Sequence, residues 1–379
     1  MRYFSLDVHR NYCEGAELLP NNTVRRFRFP NELKAWKQFA RGLDEQCKVA
    51  LEATCNAFMI YDILSEHGAQ VVLVNTLKTR AIAEARIKTD KLSAEILVRL
   101  LAADFICEVW VPPKEERELR TLLHHRAALK RQIVGVKNRI HAILMRHGIP
   151  VPVSDLFGVK GRRFLYSLEE LPEVERVVLA SNLKVLDSLE AEIKEIEDEL
   201  YLRAQARPEV KILLGIPGID VLAALTILAE IGDIRCFASA KKLASFAGLV
   251  PSVHQSGKVR YTGHITRAGR SMLRWILTQV ALQAVRHPGP LREFYLRIRE
   301  RKGHKVAIIA AARKLLTIIW VLLTRQTSYE GAREELRERK IKRMMKKGAP
   351  YMIDIDIPQK LVFCIEMDGN VFERPDSAA

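Results

Sequence analysis

Tyr3-Phe-Ser-Leu-Asp-Val8 opens the chain as a short run of alternating character that carries an acid at its end. The fold class follows from what comes after it. Cys13–Leu19 and Thr23–Phe29 read as two further strands around the turn-forming Pro20-Asn-Asn22. Asn31 then caps a helix running to about Glu45, with Leu33, Trp36, Phe39 and Leu43 at helical spacing. Lys48–Glu52 is a strand, Phe58–His67 a helix, Gln70–Val74 a strand and Leu92–Phe105 a helix.

Three strands followed by helix–strand–helix–strand–helix is the order of an RNase H-like α/β domain. That order gives three acids a common destination. Asp7 ends the first strand, Glu52 ends the fourth, and Asp90 precedes the last helix. Strand ends of such a sheet converge at one edge, so carboxylates distant in sequence meet there. Oxygen-only ligands suit Mg²⁺ or Mn²⁺, the ions of phosphoryl transfer. The bland alternative is that each acid is a surface group, and Asp90 in Thr-Asp-Lys-Leu also fits an N-cap.

Beyond Pro113 the pattern turns helical. Leu119, Leu122, Leu129, Ile133, Val136, Ile140 and Ile143 alternate in threes and fours up to His147, with Arg126 filling one heptad site. No acid occurs between Glu118 and Asp155, while Arg120, Lys130, Arg131, Lys137, Arg139 and Arg146 line this helix. Its outer face is therefore expected to meet phosphate. A Gly- and Pro-rich connector leads to a second heptad helix, with Leu186, Leu189, Ile193, Ile196 and Leu200 among the acids Glu190, Glu192, Glu195, Glu197, Asp198 and Glu199. The two helices pair either within one chain or between chains, and dimerisation through them is the expectation carried forward.

The third region is helical and strongly basic. Leu213-Leu-Gly-Ile-Pro-Gly-Ile219 between two helical patterns has the look of a helix–hairpin–helix turn, whose amides meet DNA phosphates without sequence preference. From Ile234 to Arg292 there are ten Lys or Arg and no Asp or Glu. Within it, Pro251-Ser-Val-His-Gln-Ser-Gly-Lys258 and Gly263-His-Ile-Thr-Arg-Ala-Gly269 read as a glycine-punctuated loop between apolar helices. A stretch so one-sided in charge calls for a polyanion. Its contacts are assigned to Lys241, Lys242, Lys258, Arg260, Arg267, Arg270 and Arg274, together with Arg120, Lys130, Arg131, Lys137 and Arg139 on the first heptad helix. Its hydroxyls, Ser252, Ser256, Thr262 and Thr266, are candidate nucleophiles towards phosphate.

Over 379 residues the formal net charge is +16, with 48% hydrophobic and 28% charged residues, which fits a globular nucleic-acid binder and argues against a membrane protein. Val306–Leu323 is apolar but carries Arg313-Lys314 at its centre, so it reads as a core helix. Six cysteines without paired spacing, and no signal peptide, give the expectation of reduced, mostly buried thiols in the cytoplasm.

Several motifs in order now carry a resemblance. Glu230-Ile-Gly-Asp-Ile234, Phe237-Ala-Ser-Ala-Lys-Lys-Leu243, Ala247-Gly-Leu-Val-Pro251, Gln255-Ser-Gly-Lys258 and Gly263-His-Ile-Thr-Arg-Ala-Gly-Arg270 resemble the C-terminal domain of insertion-sequence transposases of the IS-one-ten, or Piv-like DEDD, type. Leu6-Asp7-Val8-His9, Glu52-Ala-Thr54 and Lys88-Thr-Asp-Lys91 resemble that family's RuvC-like domain. The resemblance implies a recombinase acting on element ends and target DNA, with Mg²⁺ held by Asp7, Glu52 and Asp90 and a C-terminal serine forming a phosphoserine link. It also implies an element-encoded guide RNA and a homo-oligomer in which domains of different subunits complete one site. The family's serine motif falls on Ser256, where Gly257 allows close approach of phosphate and Lys258 stabilises developing charge, with Ser252 the next choice. The family's fourth carboxylate falls on Ser93, a weak neutral ligand. Glu95 is no substitute, because five residues turn a helix by about 500°.

The division expected is therefore a RuvC-like domain over 1–111, coiled-coil helices over 112–206, a helical transposase domain with the serine over 207–330, and a basic tail with a β-hairpin over 331–379. Three other readings stay open: a junction-resolvase-like metal nuclease, a site-specific DNA invertase, and an inactive nucleic-acid-binding relic, for which Ser93 speaks.

Overall fold

The computed structural model describes residues 1–75, 79, 90–256 and 259–348. They form two compact units, Met1–Pro113 and Lys114 onward.

The first unit is built on a five-stranded sheet. Strands β1 (Arg2–Val8), β2 (Tyr12–Leu18) and β3 (Val24–Pro30) form an antiparallel meander, and β4 (Cys47–Glu52) and β5 (Gln70–Val74) add in parallel, giving the order β3-β2-β1-β4-β5. One face packs Phe4, Leu6, Val8, Val49 and Leu51 against α1 (Leu33–Ala40) and α2 (Ala57–Glu66), through Trp36, Ile60 and Leu64. The other face, set by the alternation of side chains along each strand, is covered by α3 (Asp90–Ala102), whose Leu97 and Leu101 meet Ala50, Val72 and Val74. A mixed sheet buried on both faces needs apolar residues at nearly every position, and β4 and β5 supply them.

The second unit is helical. Helices α4 (Lys114–Arg146) and α6 (Glu173–Gln205), joined through α5 (Val159–Tyr166), lie along each other within the chain. Ile133, Val136, Ile140 and Ile143 of the first pack with Leu179, Leu183, Leu186 and Ile193 of the second. The basic and acidic heptads thus pair within the chain. Helix α7 (Pro208–Leu213) leads through the Ile216-Pro-Gly turn into α8 (Val221–Ile231), every residue of which is buried. Gly218, at φ +84°, closes the turn against the other side of the core, where a Cβ would lie 2.9 Å from the Val280 carbonyl oxygen and the Ala284 amide. That glycine therefore serves packing.

A short 3₁₀ turn (Ile234–Cys236) precedes α9 (Ala240–Phe246), and the segment expected as a loop forms an antiparallel hairpin of β6 (Pro251–Ser256) and β7 (Val259–Ile265). Val253, Val259, Tyr261, Thr262 and Ile265 favour extended backbone and outweigh the small residues between them. Loop structure is kept at Thr266–Arg270, where Gly269 (φ +110°) presses against Phe246; a Cβ there would stand 2.1 Å from its carbonyl oxygen. Helix α10 (Ser271–Ala284) and the long α11 (Pro290–Arg325), kinked at Gly303, complete the core, and α12 (Glu334–Lys347) packs on α6. Apolar enough to cross a membrane by length, α11 instead buries Ala307, Ala311, Leu315 and Ile319 in this core.

The cysteines depart from expectation: Cys13 and Cys47 are buried, Cys55 and Cys236 exposed and Cys107 intermediate. Cys364 and the hairpin expected near the C-terminus lie outside the described residues.

Candidate active site

The strand registers place an acid row across the end of the sheet. Asp7 pairs with Glu14 of β2, and Glu14 pairs with Arg28 of β3. On the parallel side Leu6 aligns with Leu51, so Asp7 and Glu52 stand side by side. Alternation puts Asp7 on the same face as Ser5, whose hydroxyl donates to the Ala94 carbonyl of α3 at 2.5 Å. Ala94 and Val98 pack in one cluster with Ala16, Tyr3 and Leu18, and Asp104, just past the helix, reaches Lys48 at the start of β4 at 3.3 Å. Helix α3 therefore runs opposite to β1, and its first turn, opening at Asp90, lies at the Asp7–Glu52 end. The backbone thus sets Asp7 beside Glu52 and brings the described start of α3 to the same end of the sheet; the side chains of Asp90 and Ser93 lie outside the described residues.

Asp7 is held rather than free. His9 Nε2 stands 3.5 Å from its Oδ2, and the imidazole packs on Tyr12 with ring centres 4.7 Å apart. Glu14, 4% exposed, accepts from Arg28 Nε at 2.9 Å, and that guanidinium lies 4.3 Å over the Tyr12 ring. Sequence reasoning missed Glu14 and gave His9 no role. The available signal was two acids, Glu14 and Glu17, in a strand whose other residues are mostly small or apolar, which invites a reason in the fold. Among the described residues no group of three His, Cys, Asp or Glu side chains converges on one point. Two oxygen donors on neighbouring strand ends, with a third acid opening the covering helix, fit the donor set of a hard divalent ion.

The second unit carries the basic and hydroxyl residues. Ser256 ends β6 opposite Val259. Its side chain, that of Arg260 and all of Lys258 lie outside the described residues. Ser252 stands at the other end of β6 with its hydroxyl against Gly263, where a Cβ would be 2.5 Å away, so that glycine makes room for it. Lys241, Lys242 and Arg267 are exposed, while Arg274 donates to the Ala247 carbonyl at 3.1 Å.

Arg120 is a correction. Expected on the outer face of α4, it is 7% exposed and donates to the carbonyls of Ala229 (2.6 Å) and Glu230 (3.3 Å). Burial, reinforced by the neighbouring Arg270, pulls its pKa down to about 10. Glu230 at the end of α8 completes this buried cluster, with His124 Nε2 at 2.6 Å and Arg270 Nε at 3.9 Å. Burial alone would raise the Glu230 pKa, but the His124 hydrogen bond and the charges of Arg270, His124 and Arg120 together hold it below the ordinary carboxylate value. Lys137 is also engaged internally, 3.4 Å from Glu190 and 4.8 Å over the Phe157 ring. Arg139 donates to Asn182 Oδ1 at 2.9 Å, and Lys130 lies 3.8 Å from Glu197.

The first unit thus carries an acid-bearing strand edge and the second a basic, hydroxyl-bearing hairpin. Comparison with known proteins gives the family. Residues 6–149 match the DEDD transposase domain of IS110, and residues 210–296 match the family described as transposase IS116/IS110/IS902. The putative transposase y4pF/y4sB of Sinorhizobium fredii is 30% identical over 298 residues, covering 75% of this chain and 74% of that one. The transposase for insertion sequence element IS1111A of Coxiella burnetii is 29% identical, over 74% of this chain and 79% of its own. The pilin gene-inverting protein of Moraxella bovis is 28% identical, over 86% and 97%. The chain belongs to the IS110/IS116 family of transposases.

Proposed function

We propose that the protein excises and inserts a mobile DNA element by serine chemistry, with Ser256 as nucleophile and Asp7, Glu52 and Asp90 as ligands of Mg²⁺. The observation that carries this reading is the register that aligns Leu6 with Leu51 and so sets Asp7 beside Glu52, on the face covered by α3. In the step proposed, the Ser256 hydroxyl gives up its proton, its oxygen bonds to phosphorus, and a strand P–O bond breaks. The leaving sugar oxygen takes up a proton, and later attack by another DNA hydroxyl restores the serine. A bound divalent ion supplies charge to the scissile phosphate and lowers the cost of deprotonating the attacking hydroxyl. Asp7 is oriented by His9, and Glu14 adds negative potential beside it while Arg28 keeps its carboxylate in place.

The domain division over 1–111, 112–206, 207–330 and 331–379, a RuvC-like identity for the first, an element-encoded guide RNA and a homo-oligomer belong to the same reading. Phosphate contacts are assigned to Lys241, Lys242, Lys258, Arg260, Arg267, Arg270 and Arg274, with Arg131 and Arg139 on α4.

The test is a covalent-adduct assay. The protein is incubated with element-end DNA, flanking RNA and Mg²⁺, denatured, and examined for DNA-linked protein. Wild type is expected to give an adduct that Ser256→Ala abolishes and Asp7→Ala reduces at least about a thousandfold. Cleavage that survives Ser256→Ala would move the protein to the metal-only nucleases. Tight binding without cleavage would mark an inactive copy, the outcome that Ser93 in place of a carboxylate favours.

A further inference from the structure

Helices α4 and α10 leave between them a groove of about 610 Å³, lined by His124, Arg126, Ala127, Lys130, Arg131, Val134, Ser271, Met272 and Trp275. Its composition is that of neither a core nor an ordinary surface. The floor is apolar, yet Trp275 is 48% and Val134 57% exposed. Together the half-exposed indole and Val134 leave the groove floor apolar and open to solvent. The rim is cationic and no carboxylate lines it. Glu197 reaches Arg126 and Lys130 from α6, behind the groove, while Arg131 is exposed.

A protein partner with an apolar ridge would bury Arg131, which no carboxylate among the described residues reaches, without a counter-charge. An anion that also presents a flat ring answers both halves of the groove. Resting on the nucleic-acid reading of the family, we propose that this groove holds an unpaired nucleotide of a single-stranded segment. Its base stacks on Trp275, and its phosphate lies against Arg131. Stacking on aromatic rings tolerates any base and works only on bases freed from a duplex, so the groove selects strand state, not sequence. Its volume suits one or two nucleotides. Whether the strand is displaced DNA or RNA is the same chemistry at the ring, and the experiment separates them.

Fluorescently labelled oligo(dT), oligo(U) and a mixed-sequence duplex are titrated by anisotropy against wild type, Trp275→Ala, Trp275→Phe and Arg131→Glu, with thermal melts confirming the fold of each. Trp275→Ala is expected to weaken one or both single-stranded probes at least about fivefold, the low end for one stacked base, and to leave the duplex within about twofold. Trp275→Phe restores most of the loss, and Arg131→Glu lowers single-strand affinity through phosphate. The larger loss, on oligo(U) or on oligo(dT), identifies the source of the strand. Photocrosslinking of 5-iodouracil oligonucleotides maps to Trp275 in the supported case. Equal losses on all three probes, or none, overturn the proposal. So does a change in sedimented mass on Trp275→Ala with binding intact, which makes the groove a contact between copies. Wild type that binds none of the probes overturns the nucleic-acid reading itself.

Discussion

Two basic regions of the second unit look alike in sequence and differ in the structure. Helix α4 and the segment from Ile234 to Arg292 are both rich in Lys and Arg, and both lack acids over long runs. Yet α4 lies along an acidic helix, and Arg126, Lys130, Lys137 and Arg146 each reach a glutamate of α6. In the later segment Lys241, Lys242 and Arg267 are exposed, and the carboxylates that reach in belong to Glu230 and Asp233, just before it. A count of charges along a chain therefore overstates one surface and not the other. What a cation offers a phosphate depends on whether a carboxylate has already been folded against it.

The largest effect is expected where the two regions meet, at Glu230. It lies between His124 and Arg120 of α4 and Arg270 of the basic segment, with its side chain 2% exposed. Replacing it by Gln leaves the buried Arg120 without its nearest counter-charge. That should lower the unfolding free energy of the second unit by about 3 kcal/mol at neutral pH. Because the folded pKa lies below the unfolded one, the stabilisation is fully present above the unfolded value of about 4.3 and is lost as pH falls through the folded value. Urea unfolding of wild type and Glu230→Gln at a series of pH values should thus show a gap that closes in acid. A gap that widens there would mean the carboxyl is protonated in the folded protein, and the two regions are not joined electrostatically.

How much of this was legible beforehand depends on how far each inference reached along the chain. The sheet's elements and the placement of Asp7 beside Glu52 followed from alternation and from acids at strand ends, both local signals. Glu14 escaped because its meaning depends on a register that sets it opposite Asp7, seven residues away around a turn. Arg120 was misplaced because helical periodicity fixes a face only to within a residue. Beside Leu119 and Leu123 it lies at the seam's edge, and its partner Ala229 is 109 residues away. The β6–β7 hairpin was obscured by glycine and serine, whose turn propensity masked the β-branched and aromatic residues between them. Trp275 carried no periodic signal, since a single exposed indole shows itself only when the surface is known.

A middle-sized effect is expected at the exposed end of the comparison. Lys241 and Lys242 stand exposed in the first turn of α9, capped by Ser239, so backbone amides and two ammonium groups face solvent together. Changing both to Ala should weaken duplex binding about tenfold and reduce the slope of log affinity against log salt by about two. Anisotropy titrations across a salt series measure both. An unchanged slope would mean the phosphates lie elsewhere, and the acid-free segment would be only a solvated face.

The smallest effect, and the sharper for being small, is expected at Lys137. Its ammonium pairs with Glu190 and lies over Phe157, both partly exposed, so Lys137→Ala should cost no more than about 1 kcal/mol of stability. It releases no counterion on binding if Glu190 already balances it, so duplex affinity and salt slope should stay within error of wild type. The same titrations decide. A slope reduced by about one at Lys137 would show that DNA displaces Glu190 from the lysine, and that α6 acts as a stand-in for phosphate along α4. The distinction between the two basic regions would then hold only in the absence of DNA.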